Sequence, residues 1–194
     1  MDKVSYALGL SLGNNLLGSG VTNLNFVQLA KGIQDVMEQK QPEMSYEEAQ
    51  TVINDFFQTL QAAMSEKAQG EGKIFLDANA KRSEVVTLAS GLQYEVITEG
   101  EGVTPKASDT VKVHYHGTLI DGTVFDSSVK RGEPATFGVT QVISGWIEAL
   151  QLMPVGSKWK LFIPSELAYG AQGAGQAIAP HSTLVFEVEL LDIV

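Results

Sequence analysis

The hydrophobic pattern of this chain changes period part-way along, and that break constrains the fold more than any other feature. Up to about residue 83, apolar side chains recur every three or four positions, the spacing of a helix face. From Leu92 onward they alternate or cluster in β-branched runs, as strands do. Two regions are therefore predicted: a helical one over residues 1–83 and a mixed one over residues 84–194.

Val4, Leu8, Leu12 and Leu16 share one face beside the small Ala7 and Ser11, which predicts a first helix with that face buried, ended by Gly18-Ser19-Gly20. Asn25 caps a second helix, with Gln28 as its capping-box partner. Phe26, Leu29, Ala30, Ile33, Val36 and Met37 form its buried face, and Pro42 closes it. Ser45 and Glu48 form a further capping box ahead of a stripe through Ala49, Val52, Ile53, Phe56, Phe57, Leu60, Ala63 and Met64 that weakens toward Lys81. Such a helix would be ~54 Å long. Gly70 and Gly72 each cost ~1 kcal/mol in its interior, so bending or fraying is expected there.

These helices cannot cover all their apolar faces among themselves. Pairing with the same region of a second chain would do so, and a homodimer through residues 1–83 is expected; packing on the second region is the alternative. The net charge is −10, and residues up to Ser83 hold 7 basic and 10 acidic side chains against 6 and 13 beyond it. Neither region has the positive surplus that draws nucleic acid or an anionic membrane surface. No apolar run approaches the ~18 residues of a membrane span. Met1-Asp2-Lys3-Val4-Ser5-Tyr6 lacks the basic flank and apolar stretch of an export signal, so a cytoplasmic protein is expected; a periplasmic or outer-membrane-attached chain stripped of its signal would read the same. With no cysteine there is no disulfide framework and no thiolate metal site.

In the second region four strands are predicted, around Leu92–Ile97, Thr110–Tyr115, Lys158–Ile163 and Leu184–Leu190. Turns lie at Glu99-Gly100-Glu101-Gly102, Asp121-Gly122 and Pro154-Val155-Gly156, and one short helix lies near Gly145–Leu150. Several strands, short turns and few helices imply an antiparallel α+β domain.

Motifs for bond-making chemistry are missing. There is no Gly-x-Ser-x-Gly elbow, no phosphate loop ending in Gly-Lys-Ser/Thr, and no His-Glu-x-x-His. His114 and His116 could face one side of a strand and, with His181, supply three metal ligands; ordinary polar residues on a solvated face explain them better. Gly170–Ala177 lacks the glycine spacing of a nucleotide loop and reads as a flexible loop beside a site. The informative set is aromatic: Tyr115, Phe125, Phe137, Trp146, Tyr169 and Phe186, although aromatics on strands usually belong to a core.

Order and context give this set its meaning. His114-Tyr115-His116-Gly117-Thr118-Leu119, Asp121-Gly122-Thr123-Val124-Phe125-Asp126-Ser127-Ser128 and Val142-Ile143-Ser144-Gly145-Trp146 are followed by Met153-Pro154-Val155-Gly156, Ala168-Tyr169-Gly170 and Thr183–Leu190. Together they resemble the signature of the FKBP-type peptidyl-prolyl isomerases, over roughly residues 88 to 194. The helical region resembles, in layout, the dimerisation region of the bacterial Mip, FkpA and FklB subgroup.

The resemblance implies a half-wrapped antiparallel sheet packed on one short helix, with an apolar cleft between them. Trp146 would be the floor for a proline ring, with Tyr115, Phe125, Phe137 and Phe186 as walls and Val142, Ile143 and Ile178 also contacting substrate. The Tyr169 hydroxyl and the Ile143 N–H would bond substrate carbonyls, and Asp126 would lie near the imide, either as catalyst or as a tie between strand and loop. No cofactor or metal is implied. The expected partners are proline-containing peptides, unfolded proteins and macrolide inhibitors such as tacrolimus or rapamycin. The expected function is acceleration of X-Pro isomerisation in folding proteins, with chaperone activity as a dimer. A binding module with the same fold and negligible activity is the competing reading. Ala135 stands where many relatives carry a large aromatic and Ala174 where some carry histidine; with Ala177 and Ala179 they leave a more open rim and a weaker expected grip on macrolides.

Overall fold

The computed structural model describes residues 2–175 and 177–194, so Gln176 of the glycine loop lies outside it. The chain forms two compact units, Met1–Ala63 and Met64–Val194.

The first unit is helical. Helix α1, Lys3–Gly18, starts where Asp2 accepts the Val4 N–H. Helix α2, Phe26–Met37, starts where Asn25 accepts the N–H groups of Val27 and Gln28. It stops well before Pro42. Gln39 adopts a left-handed φ of 54°, and the N–H groups of Gln39 and Lys40 return to the carbonyls of Val36 and Asp35. That pairing closes a helix without any proline. The faces expected to be buried are open in the single chain: Val4, Leu8 and Phe26 are 70%, 67% and 75% exposed. No second layer covers them here, since a helix stripe is buried only by a facing element.

Helix α3, Tyr46–Asn79, begins where Ser45 Oγ accepts the Glu48 N–H. It runs for 34 residues straight through Gly70 and Gly72, without the expected fraying. Gly72 has a packing reason to be glycine. A Cβ there would collide with the Thr183 side chain, whereas one at Gly70 would meet nothing.

The second unit holds strands β1 Val85–Thr87, β2 Gln93–Thr98, β3 Thr110–Leu119, β4 Val124–Ser127, β5 Ala135–Gly138, β6 Lys158–Ile163 and β7 Leu184–Ile193. They form one wholly antiparallel sheet in the order β1-β2-β6-β7-β3-β4, with β5 also on β3. Helix α4, Ser128–Arg131, follows β4 directly, and α5, Ser144–Leu150, packs on the sheet. Sequence reasoning missed β1, β4, β5 and α4, each only three or four residues long. Val111, Val113, Leu161, Leu184, Val188 and Leu190 are almost fully buried with Ala149, Leu150 and Met153 of the α5 segment.

The end of α3 belongs to this unit. Phe75 meets Phe162 with ring centroids 5.9 Å apart. Gln93 Nε2 donates to the Leu76 carbonyl at 3.0 Å while its Oε1 accepts from Asn79 Nδ2 at 2.9 Å. Asn79 and Gln93 are both buried, so this pair satisfies polar groups that would otherwise be costly.

The two glycines should therefore respond with opposite signs. In chemical denaturation, Gly70→Ala is expected to stabilise the protein by ~1 kcal/mol through helix propensity. Gly72→Ala is expected to destabilise it by ~1–3 kcal/mol through overpacking against Thr183.

Candidate functional site

On the inner side of β3, Tyr115 and Gly117 lie across from Val188 and Phe186 of β7. A Cβ on Gly117 would come within 2.7 Å of the Phe186 ring and 2.8 Å of the Phe125 ring. Only glycine lets both rings close over the strand. Phe125 and Phe186 then meet edge-to-face, centroids 5.4 Å apart at 83°.

Trp146 enters from the first turn of α5. Its ring stands nearly perpendicular to Tyr115, Phe186 and Phe137, at 82°, 80° and 89°, with centroids 5.4, 5.3 and 6.0 Å away. Each such pair adds about 0.5–1.5 kcal/mol beyond burial, so the rings fix one another. They enclose a cleft of about 440 Å³, a size suited to a small ligand or a short piece of peptide.

Of the residues the resemblance assigns to catalysis or substrate contact, all but Ile178 line this cleft; the rim alanines Ala135, Ala174, Ala177 and Ala179 do not. Trp146, Tyr115 and Phe186 are buried, Phe125, Phe137, Val142 and Ile143 half-buried, and Tyr169 is 39% exposed at the lip. Ile143 gives its carbonyl to the N–H groups of Trp146 and Ile147; its own N–H has no partner among the described residues. Ile178 is instead buried in the core and bridged to Ala174 by two backbone hydrogen bonds. Ala135, paired with Val113 on β3, packs on the core and does not line the cleft.

Two residues here were not singled out from the sequence. Gln141, just ahead of the Val142-Ile143 pair, reaches the cleft. Arg131 is brought back by α4 onto Asp126 and Tyr115. Its Nη1 donates to Asp126 Oδ1, its Nη2 donates to the Tyr115 hydroxyl at 2.8 Å, and its guanidinium carbon lies 5.6 Å from the Tyr115 ring centre. The Tyr115 hydroxyl in turn donates to Asp126 Oδ2 at 2.6 Å. Both Asp126 oxygens are thus engaged. Burial works to raise the Asp126 carboxyl, but the Tyr115 hydroxyl and the Arg131 guanidinium outweigh it and hold it below the usual carboxylate range. Burial, reinforced by the neighbouring carboxylate, pushes the Tyr115 phenol up despite Arg131.

A second cavity of about 460 Å³ lies on the other face of the sheet, among Phe75, Arg82, Thr118, Lys160 and Phe162. Its guanidinium is already tied to Glu84 and Glu95, and it has no aromatic box. His114 and His116 point outward on β3 and bond Ser128 and Ser127, away from His181. Among the described residues no three His, Asp or Glu side chains gather as metal ligands.

The cleft is thus an aromatic pocket with a polar rim, built on an antiparallel sheet and one short helix. Comparison with known proteins agrees. Residues 101–191 match the family described as FKBP-type peptidyl-prolyl cis-trans isomerase, and residues 1–96 match the domain amino terminal to it. The FKBP-type 22 kDa peptidyl-prolyl cis-trans isomerase of Escherichia coli (strain K12) is 51% identical, covering 98% of this chain and 94% of that protein. The outer membrane protein MIP of Legionella longbeachae is 47% identical, over 99% and 85%. The crystal structure of FkpA from Escherichia coli superposes with a TM-score of 0.75 at 42% identity, over 98% of this chain and 95% of that one. The chain belongs to the FKBP-type peptidyl-prolyl cis-trans isomerase family, and its enzyme class is the one the motifs implied. No helix among the described residues is long and apolar enough to cross a membrane. The cytoplasmic placement finds no support among these relatives, one of which is named as an outer membrane protein.

The ionic state of the cleft should be constant through neutral pH. The Asp126 pKa is lowered in the fold, so its contribution is present above the usual carboxylate pKa of about 3.9 and is lost as pH falls through the depressed value. The Tyr115 pKa is raised, so its contribution is present below about 10 and is lost only as pH climbs through the raised value. The expected kcat/KM profile is flat from about pH 5 to 9; a bell centred near neutrality would contradict this assignment.

Proposed function

We propose that the Trp146 cleft is where X-Pro bonds are rotated, with Tyr115, Phe125, Phe137 and Phe186 as walls and Val142, Ile143 and Gln141 at the edge. The box of perpendicular rings around Trp146 carries this reading.

Rotation of a peptide bond faces ~18–20 kcal/mol because twisting removes amide resonance. A barrier of ~20 kcal/mol corresponds to a rate of order 0.01 per second, the slow exchange of an uncatalysed X-Pro bond. No bond breaks, so no nucleophile is required. The planar amide is more charge-separated than the twisted one, and a cleft walled by rings therefore destabilises the ground state relative to the transition state. The Tyr169 hydroxyl and the Ile143 N–H hold the flanking carbonyls in the bent geometry that the twisted bond favours, which is binding of the transition state over the substrate. Asp126 serves as an organiser of the wall. A carboxylate with both oxygens bonded and its pKa depressed is poorly suited to give a proton.

The helical unit supports assembly. Val4, Leu8, Phe26, Val52, Ile53, Phe56 and Phe57 are all exposed in the single chain, more apolar surface than an isolated unit this small leaves open. A homodimer through residues 1–83, with the isomerase region over residues 84–194, would cover these faces and hold unfolded clients between two clefts. An export signal on the gene product would place the enzyme outside the cytoplasm. The small side chains at Ala174, Ala177 and Ala179 of the loop favour weak macrolide binding, whereas Ala135, packed on the core, drops out of this reading.

Two measurements test these readings. In a proline-peptide assay, Trp146→Ala is expected to lower kcat/KM at least tenfold, the order of ~1.4 kcal/mol; an unchanged rate would remove the cleft from the reaction. In sedimentation, the full chain is expected to run as a dimer and a Leu8→Asp/Phe26→Asp variant as a monomer. A monomeric wild type would exclude the assembly.

A further inference from the structure

Resting on the assignment of the cleft, one more residue enters the isomerase machinery from behind its wall. The edge of β3 that faces away from β7 is covered by two strands with a gap between them. Strand β5 pairs with Thr110 to Val113, and β4 pairs with His116 to Thr118. Among the described residues no strand lies beside Tyr115 on this edge, although Tyr115 is the cleft wall that contacts Trp146, Phe137 and Asp126.

The gap is filled by a side chain. Chain direction changes at the β4–α4 junction, where Ser127, the last paired residue of β4, also caps α4 by accepting the Lys130 N–H at 3.2 Å. The next residue, Ser128, is fully buried. Its Oγ accepts the Tyr115 N–H at 2.7 Å and donates to the Tyr115 carbonyl at 3.2 Å. One hydroxyl thus replaces the missing strand residue at both polar groups of Tyr115. Ser127 Oγ reaches the same carbonyl only at 3.5 Å.

Proton accounting closes the arrangement. A hydroxyl has one proton and two lone pairs. With the proton on the Tyr115 carbonyl and one lone pair on the Tyr115 N–H, the remaining lone pair faces His114 Nδ1 at 3.1 Å. His114 then donates from Nδ1, a tautomer assigned by the hydrogen-bond network. The outward histidine backs the serine, and the serine sets the backbone of the wall.

We propose that Ser128 is a positioning residue for isomerisation: it fixes the backbone of Tyr115 in a break between strands, and through it the wall that meets the proline ring. Without its hydroxyl the buried Tyr115 N–H has no partner and the wall can shift.

The test separates position from stability through KM, which a smaller folded fraction does not change. Ser128→Ala, assayed well below its melting temperature, is expected to raise KM for a proline peptide by about tenfold, the effect of one unsatisfied buried donor. Ser128→Thr keeps the hydroxyl and adds a buried methyl, so it is expected to melt lower while keeping KM within about twofold of wild type. An unchanged KM in Ser128→Ala, or equal KM values for the two variants, would overturn the proposal. Trp146→Ala in the same assay tells apart a failure of this inference from a failure of the cleft assignment, because only the latter leaves that variant fully active. On the wild-type protein, the Tyr115 amide is expected to resist hydrogen exchange strongly. Exchange at the rate of an open loop amide would refute the hydrogen bond whether or not the variants fold.

Discussion

The ladder between β3 and β7 runs from Val111 opposite Ile193 to Leu119 opposite Leu184, and the cleft depends on its register. A slip of one residue would turn Tyr115 and Gly117 outward and bring His114 and His116 against the core. The register is fixed by what each face carries. Val111, Val113, Val188 and Leu190 are apolar and buried, while Lys112, His114, Glu187 and Glu189 face out. Once it is set, Gly117 lies beneath Phe186 and Phe125, and the missing Cβ becomes the space in which those rings meet. The bulge between Lys112 and Val113 absorbs the one irregularity on this ladder, away from the cleft.

Much of this was legible in the sequence because it follows from periodicity and composition. The long strands and α1 to α3 were found from their apolar spacing, and the caps at Asn25 and Ser45 from residue type. Short elements were not, since three or four residues carry too little period to be seen: β4, β5 and α4 escaped, and with them Arg131 and Ser128, whose roles depend on where α4 turns. In the sequence Gly72 reads as a weakness in a helix because its partner, Thr183, lies more than a hundred positions along the chain. Pro42 reads as the stop of α2 because proline breaks helices, while the actual stop is a left-handed Gln39 that no residue preference announces. The resemblance puts Ile178 in the site, whereas in the fold it is buried in the core with its backbone paired to Ala174.

The two units treat apolar surface in opposite ways. In the sheet unit the large apolar residues of β3, β6, β7 and α5 form one buried core, and the buried polar residues Asn79, Gln93 and Ser128 all have hydrogen-bond partners. In the helical unit, stripes of equal regularity remain open. Regularity without cover is what a helix looks like when its facing element is supplied from elsewhere, and a helix stripe gains little stability until that surface arrives. Under the proposed homodimer, the stability of this half of the chain would depend on protein concentration in a way that the sheet unit's would not.

The proposed reaction accounts for a cleft walled by mutually packed rings in which the one carboxylate is fully hydrogen-bonded. Isomerisation needs no proton transfer, so polar groups near the imide serve best as fixed supports. The Tyr115, Asp126 and Arg131 triangle fits that description: every bond in it is charge-assisted or shared, and the carboxylate stays ionised at neutral pH. Holding the same tyrosine by its backbone completes the constraint, because a ring anchored only at its hydroxyl could still pivot about its other end. Tyr115 is held at the hydroxyl by Asp126 and Arg131, at the ring by Trp146 and Phe137, and at the main chain by Ser128. In the proposed mechanism, a wall fixed at three points would be preorganised for a twisted bond and would not relax around a planar one, which is the asymmetry that differential binding of the transition state requires.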